Sequence, residues 1–106
     1  MSSRAPPQSV LVRWYPWVRL FVRVAFAIWQ RRPFSVTSWY RDPETNAATP
    51  GSSPNSQHLI GTAADVVPDD GDLEALAELA QRFGIVAVVY RHHVHLQLFR
   101  AGNRPE

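Results

Sequence analysis

Two short segments carry most of the side chains able to bind a metal ion. His58 and Asp65 lie seven positions apart with a glycine turn between them, and His92, His93 and His95 follow in a second segment. The chain contains no cysteine, so any metal site must use histidine or carboxylate ligands. We therefore predict that one zinc ion (Zn2+) joins these two segments.

Strand periodicity indicates which histidines point the same way. His93, His95 and Gln97 share one face of an alternating strand, whereas the residues between them are apolar. Catalytic zinc takes three protein ligands and keeps a fourth position for a water, whose pKa falls toward about 7. The predicted metal ligands are His58, Asp65 and His95. His93 is then placed to act as general base or to hydrogen-bond the tetrahedral oxyanion.

Other elements must position these side chains. The pattern predicts a loose terminus over residues 1–9, a helix over residues 16–31 and a strand over residues 34–38. Residues 42–57 are rich in Pro, Asn, Ser, Thr and Gly and predict a long loop leading to His58. The expected core of the metal site is residues 34–98.

Beyond Asp65 the pattern indicates a strand, a helix and a hairpin. The helix is expected to end near Phe83 with Gly84 after its C-cap, and Arg91-His92 to form the tight turn of the hairpin. This order predicts one α+β domain over residues 1–106, with a small, mostly antiparallel sheet and helices packed on one face.

The predicted first helix is unusually apolar, with Arg19, Arg23 and Gln30 forming one polar stripe. We expect a largely buried helix packed on the sheet; the alternative is a helix that docks on a membrane surface or a partner. Charges in mid-bilayer cost about 2.5–3.5 kcal/mol each, so Arg13, Arg19 and Arg23 argue against a membrane span.

Charge is divided unevenly along the chain. Residues 1–41 contain seven arginines and no acid, whereas residues 42–106 carry a formal charge of −5. The basic half either meets an anionic partner or covers the acidic half of the same molecule. The arginines are interleaved with core-type residues, so we do not expect nucleic-acid binding. We expect a monomer.

The segment around His58 resembles a known signature. The pattern Ser56-x-His58-x-x-Gly61-x-Ala63-x-Asp65 is similar to that of the zinc D-Ala-D-Ala carboxypeptidase family, peptidase family M15, which includes phage endolysins. The resemblance extends to the arginine-bearing segment from Val36 to Asn46 and to His93-x-His95, and so covers the chain from about Phe34 to Leu98.

This resemblance implies a fold like that of hedgehog domains and D-Ala-D-Ala peptidases, and a zinc metallopeptidase that cleaves peptidoglycan stem peptides as a carboxypeptidase or endopeptidase. It implies His58, Asp65 and His95 as zinc ligands, and Ser56 as a residue that orders the first ligand loop and contributes to substrate binding. Arg41 is the implied substrate-binding and catalytic residue, since its guanidinium fork suits a carboxylate or carbonyl.

The chain departs from the family pattern at three places. Many members have glycine at the position of Trp39 and aspartate at that of Gln97, and some use a glutamate as general base shortly before the third ligand. Residues 79–94 contain no acid. His93 is the first candidate for that base, and His92 the second. Hedgehog domains carry such a site in proteins used for binding, so the alternative is a non-catalytic zinc module that binds cell wall or a protein.

No secretory signal is evident at the start of the chain, which is polar and proline-rich before its first apolar run. We expect a protein that is cytoplasmic in the producing cell, or associated with a phage or virion, and that acts on the cell wall.

Overall fold

The computed structural model describes residues 4–100. Three α-helices, one 3-10 turn and four strands follow one another in these residues. Their order is α1 (Gln8–Arg31), β1 (Phe34–Ser38), α2 (Pro43–Ala48), the 3-10 turn Gln57–Ile60, β2 (Ala63–Pro68), α3 (Leu73–Arg82), β3 (Val86–Val89) and β4 (Val94–Gln97). No helix in the described part of the chain is both long enough and apolar enough to cross a membrane.

The four strands form one antiparallel sheet in the order β1-β2-β4-β3. Alternate residues of β2 and β4 are buried in a core with α1 and α3, including Val66, Val94 and Leu96. The intervening residues of β4, His95 and Gln97, lie on the opposite face of the sheet. The predicted α+β class is confirmed, and the predicted metal ligand His95 lies on the face away from the core.

Local signals set the element ends on either side of α3. Asp72 caps this helix by accepting a hydrogen bond from the Ala75 amide, and Gly84 follows its C-cap in the left-handed region, at φ +85°. The β3–β4 hairpin closes where the Tyr90 amide donates to the His93 carbonyl. These features agree with the sequence-based expectations.

Helix α1 begins at Gln8, eight residues before the predicted start at Pro16. Pro16 lies inside the helix and lacks the amide that would bond one turn back, so the backbone bends at Trp14 (φ −112°, ψ 17°) instead of ending. The first turns persist because Trp14 and Val18 pack on Ile60. The prediction of a helix start at Pro16 is therefore wrong.

The expected burial of α1 is also corrected. Trp14, Val18, Phe21 and Ile28 are its buried residues, and several large apolar side chains on the remaining surface are exposed to solvent. The helix packs along one side only, because a single sheet and a short α3 cannot surround it.

The terminus expected to be loose is packed from residue 4 onward. The Tyr40 amide donates to the Arg4 carbonyl, and Pro6 is buried against Gly61. Residues 1–3 of that prediction lie outside the described residues. Within the predicted loop 42–57, α2 forms because the Asp42 carboxylate caps it and accepts from the Thr45 amide.

Candidate metal centre

Three potential ligands from separate elements converge on the sheet face opposite the core. His58 lies in the 3-10 turn, Asp65 on β2 and His95 on β4, and their nearest ligand atoms all lie within 4.8 Å of one another. Asp65 and His95 are directly opposed in the antiparallel register, which places their side chains on the same face. The structure therefore brings together the three residues that the sequence predicted as metal ligands.

The carboxylate of Asp65 lies between the two imidazoles. Its Oδ1 is 3.0 Å from His95 Nδ1 and its Oδ2 is 3.5 Å from His58 Nε2. Burial by itself raises the pKa of Asp65, but the neighbouring imidazoles of His58 and His95 outweigh that effect and hold this pKa well below its usual range. The carboxylate is thus ionised, as a metal ligand must be.

The backbone fixes the orientation of the His58 ring. Its Nδ1–H donates to the Trp39 carbonyl at 2.5 Å, and the Ser56 hydroxyl accepts from its amide at 3.2 Å. Gly61 ends the turn in the left-handed region, at φ +78°. This arrangement leaves the Nε2 lone pair directed toward Asp65, buried and without a hydrogen-bond partner. An orphaned buried acceptor of this kind fits a bound cation.

The His95 ring is fixed by a side chain. The amide NH2 of Gln97 donates to the Phe99 carbonyl, so the Oε1 of Gln97 faces His95. This oxygen accepts a hydrogen bond from His95 Nε2–H at 2.8 Å. In the neutral ring, Nδ1 then carries a lone pair that faces the Asp65 carboxylate across 3.0 Å. Two acceptors at that distance repel each other unless a proton or a cation lies between them, so this donor set also fits a metal ion.

Arg41 lies beside the three potential ligands. One terminal nitrogen is 3.5 Å from Asp65 Oδ2, and the other donates to Asn46 Oδ1 at 3.2 Å. Asn46 is buried and donates in turn to the Ser53 carbonyl. The buried Asn46 amide therefore fixes the Arg41 guanidinium at the site, although Arg41 itself lies in a loop.

The two candidate bases are placed differently. His93 Nε2 is 3.7 Å from Asp65 Oδ1, and its ring stacks on Tyr90 with centroids 4.9 Å apart. His92 is exposed in the hairpin turn and does not line the cavity at the site. Neighbouring residues of a turn point apart, so only one of the two imidazoles reaches the potential ligands.

Several supporting residues were not predicted. Gln57 is buried, and its Oε1 accepts from Thr62 Oγ1 and from the Phe99 amide, joining the His58 turn to the end of β4. Trp39, noted only as a departure from the family pattern, donates from its indole to the Gly61 carbonyl at 2.9 Å. A buried amide beside a ligand is a weak sequence signal, because its contacts with the Phe99 backbone join residues 42 positions apart.

A cavity of about 1030 Å³ opens over the three potential ligands. Among the described residues that line it, Asp65 is the one acid, and three are arginines: Arg13, Arg41 and Arg100. The loop around residues 49–56 forms one wall. The size and charge of this cavity suit an extended substrate that carries negative groups.

Comparisons with known proteins agree with this geometry. No curated protein gives a significant match. The family described as Peptidase M15 matches residues 20–97, which is most of the chain and includes all three potential ligands. The chain therefore belongs to the peptidase M15 family, whose members are metallopeptidases.

Proposed function

We propose that this peptidase is zinc-dependent and hydrolyses peptide bonds in peptidoglycan stem peptides, as a D,D-carboxypeptidase or an endopeptidase. One observation carries the proposal: a His/Asp/His group, with a buried and unpartnered imidazole nitrogen, lies at the base of an open cavity. The substrate class rests on the resemblance of the Ser56–Asp65 signature to that of the D-Ala-D-Ala peptidases.

His58 Nε2, the Asp65 carboxylate and His95 Nδ1 would hold the metal. Two imidazoles and one carboxylate, without thiolate, form a donor set used by catalytic zinc sites. When bound, zinc supplies Lewis acidity toward a peptide carbonyl and an activated water. The hydrogen bonds from His58 to Trp39 and from His95 to Gln97 keep both rings oriented before substrate binds.

His93 would act as the general base or as a hydrogen-bond donor to the oxyanion. Besides the three potential ligands, it is the only imidazole or carboxylate among the described residues that line the cavity. Its Nε2 can accept a proton from the attacking water or donate a hydrogen bond to the developing oxyanion, and Tyr90 stacking limits its movement. His93 thus takes the place of the glutamate that some branches of the family use.

Arg41 would bind the substrate. Its guanidinium is already held by Asn46 and lies next to Asp65, so it can direct its remaining N–H groups at a substrate carbonyl or terminal carboxylate. Ser56 orders the His58 turn and also lines the cavity, which places it near the same substrate group.

Digestion of purified peptidoglycan tests the proposal. The zinc-loaded protein should release new amino groups, and mass spectrometry of the fragments should identify one cleaved peptide bond. A chelator should abolish release and added zinc should restore it. His58→Ala should be inactive, whereas Arg91→Ala, in the exposed hairpin turn, should behave as wild type.

The second candidate function is a non-catalytic zinc module that binds cell wall or a protein. The absence of any acid from residues 79–94 favours it, because some catalytic relatives carry their general base there. A fully zinc-loaded protein that sediments with peptidoglycan and releases no amines would support this function and exclude the peptidase.

A further inference from the structure

The outer side of α1 carries a row of exposed apolar side chains. Tyr15, Val22, Phe26 and Trp29, here named the aromatic stripe, are 54%, 42%, 56% and 43% exposed. At 3.6 residues per turn they fall within about 60° of one another and extend over roughly 21 Å of helix. Phe26 and Trp29 stack with centroids 6.0 Å apart. Solvent-facing aromatic residues in such a row indicate a binding surface.

Two arginines border this stripe. Arg19 and Arg23 are exposed and follow the same side of the helix, and within residues 4–100 neither forms an ion pair. The whole segment 1–41 contains no acidic residue. The exposed apolar side chains are therefore bordered by positive charge alone, which favours an anionic partner.

We propose that the aromatic stripe, with Arg19 and Arg23, binds the surface of an anionic lipid bilayer. Tyr and Trp suit the water–lipid boundary because each has an apolar body and a polar tip. Arg19 and Arg23 can extend their guanidinium groups to lipid phosphates while their stems follow the apolar strip. The helix would lie in the plane of the interface, as amphipathic basic helices do.

Charge favours a bilayer over a second copy of the chain. Two stripes packed against each other would bring the Arg19 and Arg23 side chains of both copies to one interface, with no acid on either helix to neutralise them. The stripe is also a convex helix face, which suits a planar surface. None of its four residues lines the cavity over the candidate metal centre, so the stripe is a surface separate from that cavity.

Vesicle co-sedimentation of the full-length protein tests this proposal. The protein should bind vesicles of equal parts phosphatidylglycerol and phosphatidylcholine, and not vesicles of phosphatidylcholine alone. Binding should weaken as salt is raised. The double variant Phe26→Ser/Trp29→Ser should lose most of the binding, and Arg19→Gln/Arg23→Gln should weaken it roughly twenty-five-fold, or about five-fold per arginine.

Matched controls separate the stripe from general surface properties. Val22→Ser should weaken binding, whereas Val36→Ser on β1, at a nearly equal exposure of 40%, should not. Arg82→Gln at the end of α3 removes the same charge away from the stripe and should have no more than a small effect. Circular dichroism should show that every variant keeps its fold, since all the altered side chains are exposed.

Three outcomes would overturn the proposal. These are absence of binding to anionic vesicles, equal binding to neutral vesicles, and stripe variants that bind as well as wild type. Sedimentation velocity provides a further check: a dimer that the Phe26→Ser/Trp29→Ser variant converts to monomer would assign the stripe to a second copy instead. None of these results depends on peptidase activity.

Discussion

Each imidazole of the candidate metal centre is fixed through the ring nitrogen that faces away from Asp65. The Trp39 carbonyl holds His58, and the Gln97 side chain holds His95. Residue types and their spacing predicted His58, Asp65 and His95 as metal ligands, whereas Arg41 was implied by the resemblance to the family. The groups that orient them were not predictable, because one is a backbone carbonyl and the other an amide on an alternating strand.

Gln97→Leu should weaken zinc binding while leaving the fold intact. Loss of the Oε1 acceptor frees the His95 ring to rotate and to change tautomer, and loss of such outer partners typically reduces metal affinity about 10–100-fold. Competition with a chromophoric chelator measures the change. Gln81→Leu, on the exposed surface of α3, is the matched control and should bind zinc as wild type does. Equal affinities in the two variants would show that Gln97 does not position His95.

His93→Gln should retain bound zinc and lose most of the activity. The amide keeps a similar size beside Tyr90 but cannot accept a proton from water, and loss of a positioned general base costs about 10²–10⁴ in rate. Steady-state hydrolysis of a stem-peptide substrate, with zinc content measured in parallel, checks this. His92→Gln is the control for the neighbouring exposed imidazole. If His92→Gln were the inactive variant, the assignment of the base would be reversed.

At the scale of elements, the site depends on how the start of the chain packs over the His58 turn. The helix α3 and the β3–β4 hairpin could be predicted because Asp72, Gly84 and the alternating apolar pattern are local signals. The first turns of α1 could not be predicted, because a proline such as Pro16 is as typical of a helix start as of a bend inside a helix. A long-range cluster of Trp14, Val18 and Ile60 decides between these possibilities.

Gly61→Ala should destabilise the protein more than an ordinary glycine substitution in a turn. Gly61 has φ +78°, and an added Cβ would lie 2.6 Å from Pro6 Cγ and 3.2 Å from Val18 Cγ2. Left-handed strain costs about 1–2 kcal/mol and overpacking about 1–3 kcal/mol, so the free energy of unfolding should fall by roughly 2–5 kcal/mol.

Gly71→Ala is the matched control for this prediction. Gly71 has φ +76° and no atom within 4 Å of an added Cβ, so this variant should show only the left-handed strain. Urea denaturation of both variants gives the comparison. Equal losses of stability in Gly61→Ala and Gly71→Ala would mean that Pro6 and Val18 do not pack closely against the His58 turn.

At the scale of the whole molecule, the uneven charge is partly compensated within the chain. Arg4 pairs with Asp42, Arg32 with Asp70 and Arg41 with Asp65, each joining the basic half to the acidic half. Arg19 and Arg23 are left outside these pairs. Net charge by segment left two arrangements open, an anionic partner or compensation within the chain. The ion pairs of Arg4, Arg32 and Arg41 show compensation for these three arginines.

Zinc removal should lower the thermal stability of the whole domain. His95 lies 30 positions after Asp65, so zinc bound to both segments would stabilise the folded state relative to the unfolded chain. Free zinc at about a hundred times its dissociation constant contributes about 2.7 kcal/mol, which raises Tm by about 10–20 °C in a domain of this size. Differential scanning calorimetry with and without a chelator measures the shift. An unchanged Tm in a protein shown to bind zinc would contradict this coupling.

Activity measured against bound zinc tests the central claim most directly. Metal-free protein is titrated with zinc, and the release of amino groups from purified peptidoglycan is followed at each ratio for the wild type and for Asp65→Asn. We predict that wild-type activity rises in proportion to bound zinc and reaches its plateau at one ion per chain, while Asp65→Asn binds little zinc and stays inactive. Activity that is independent of zinc, or no activity with the site fully loaded, would contradict the account.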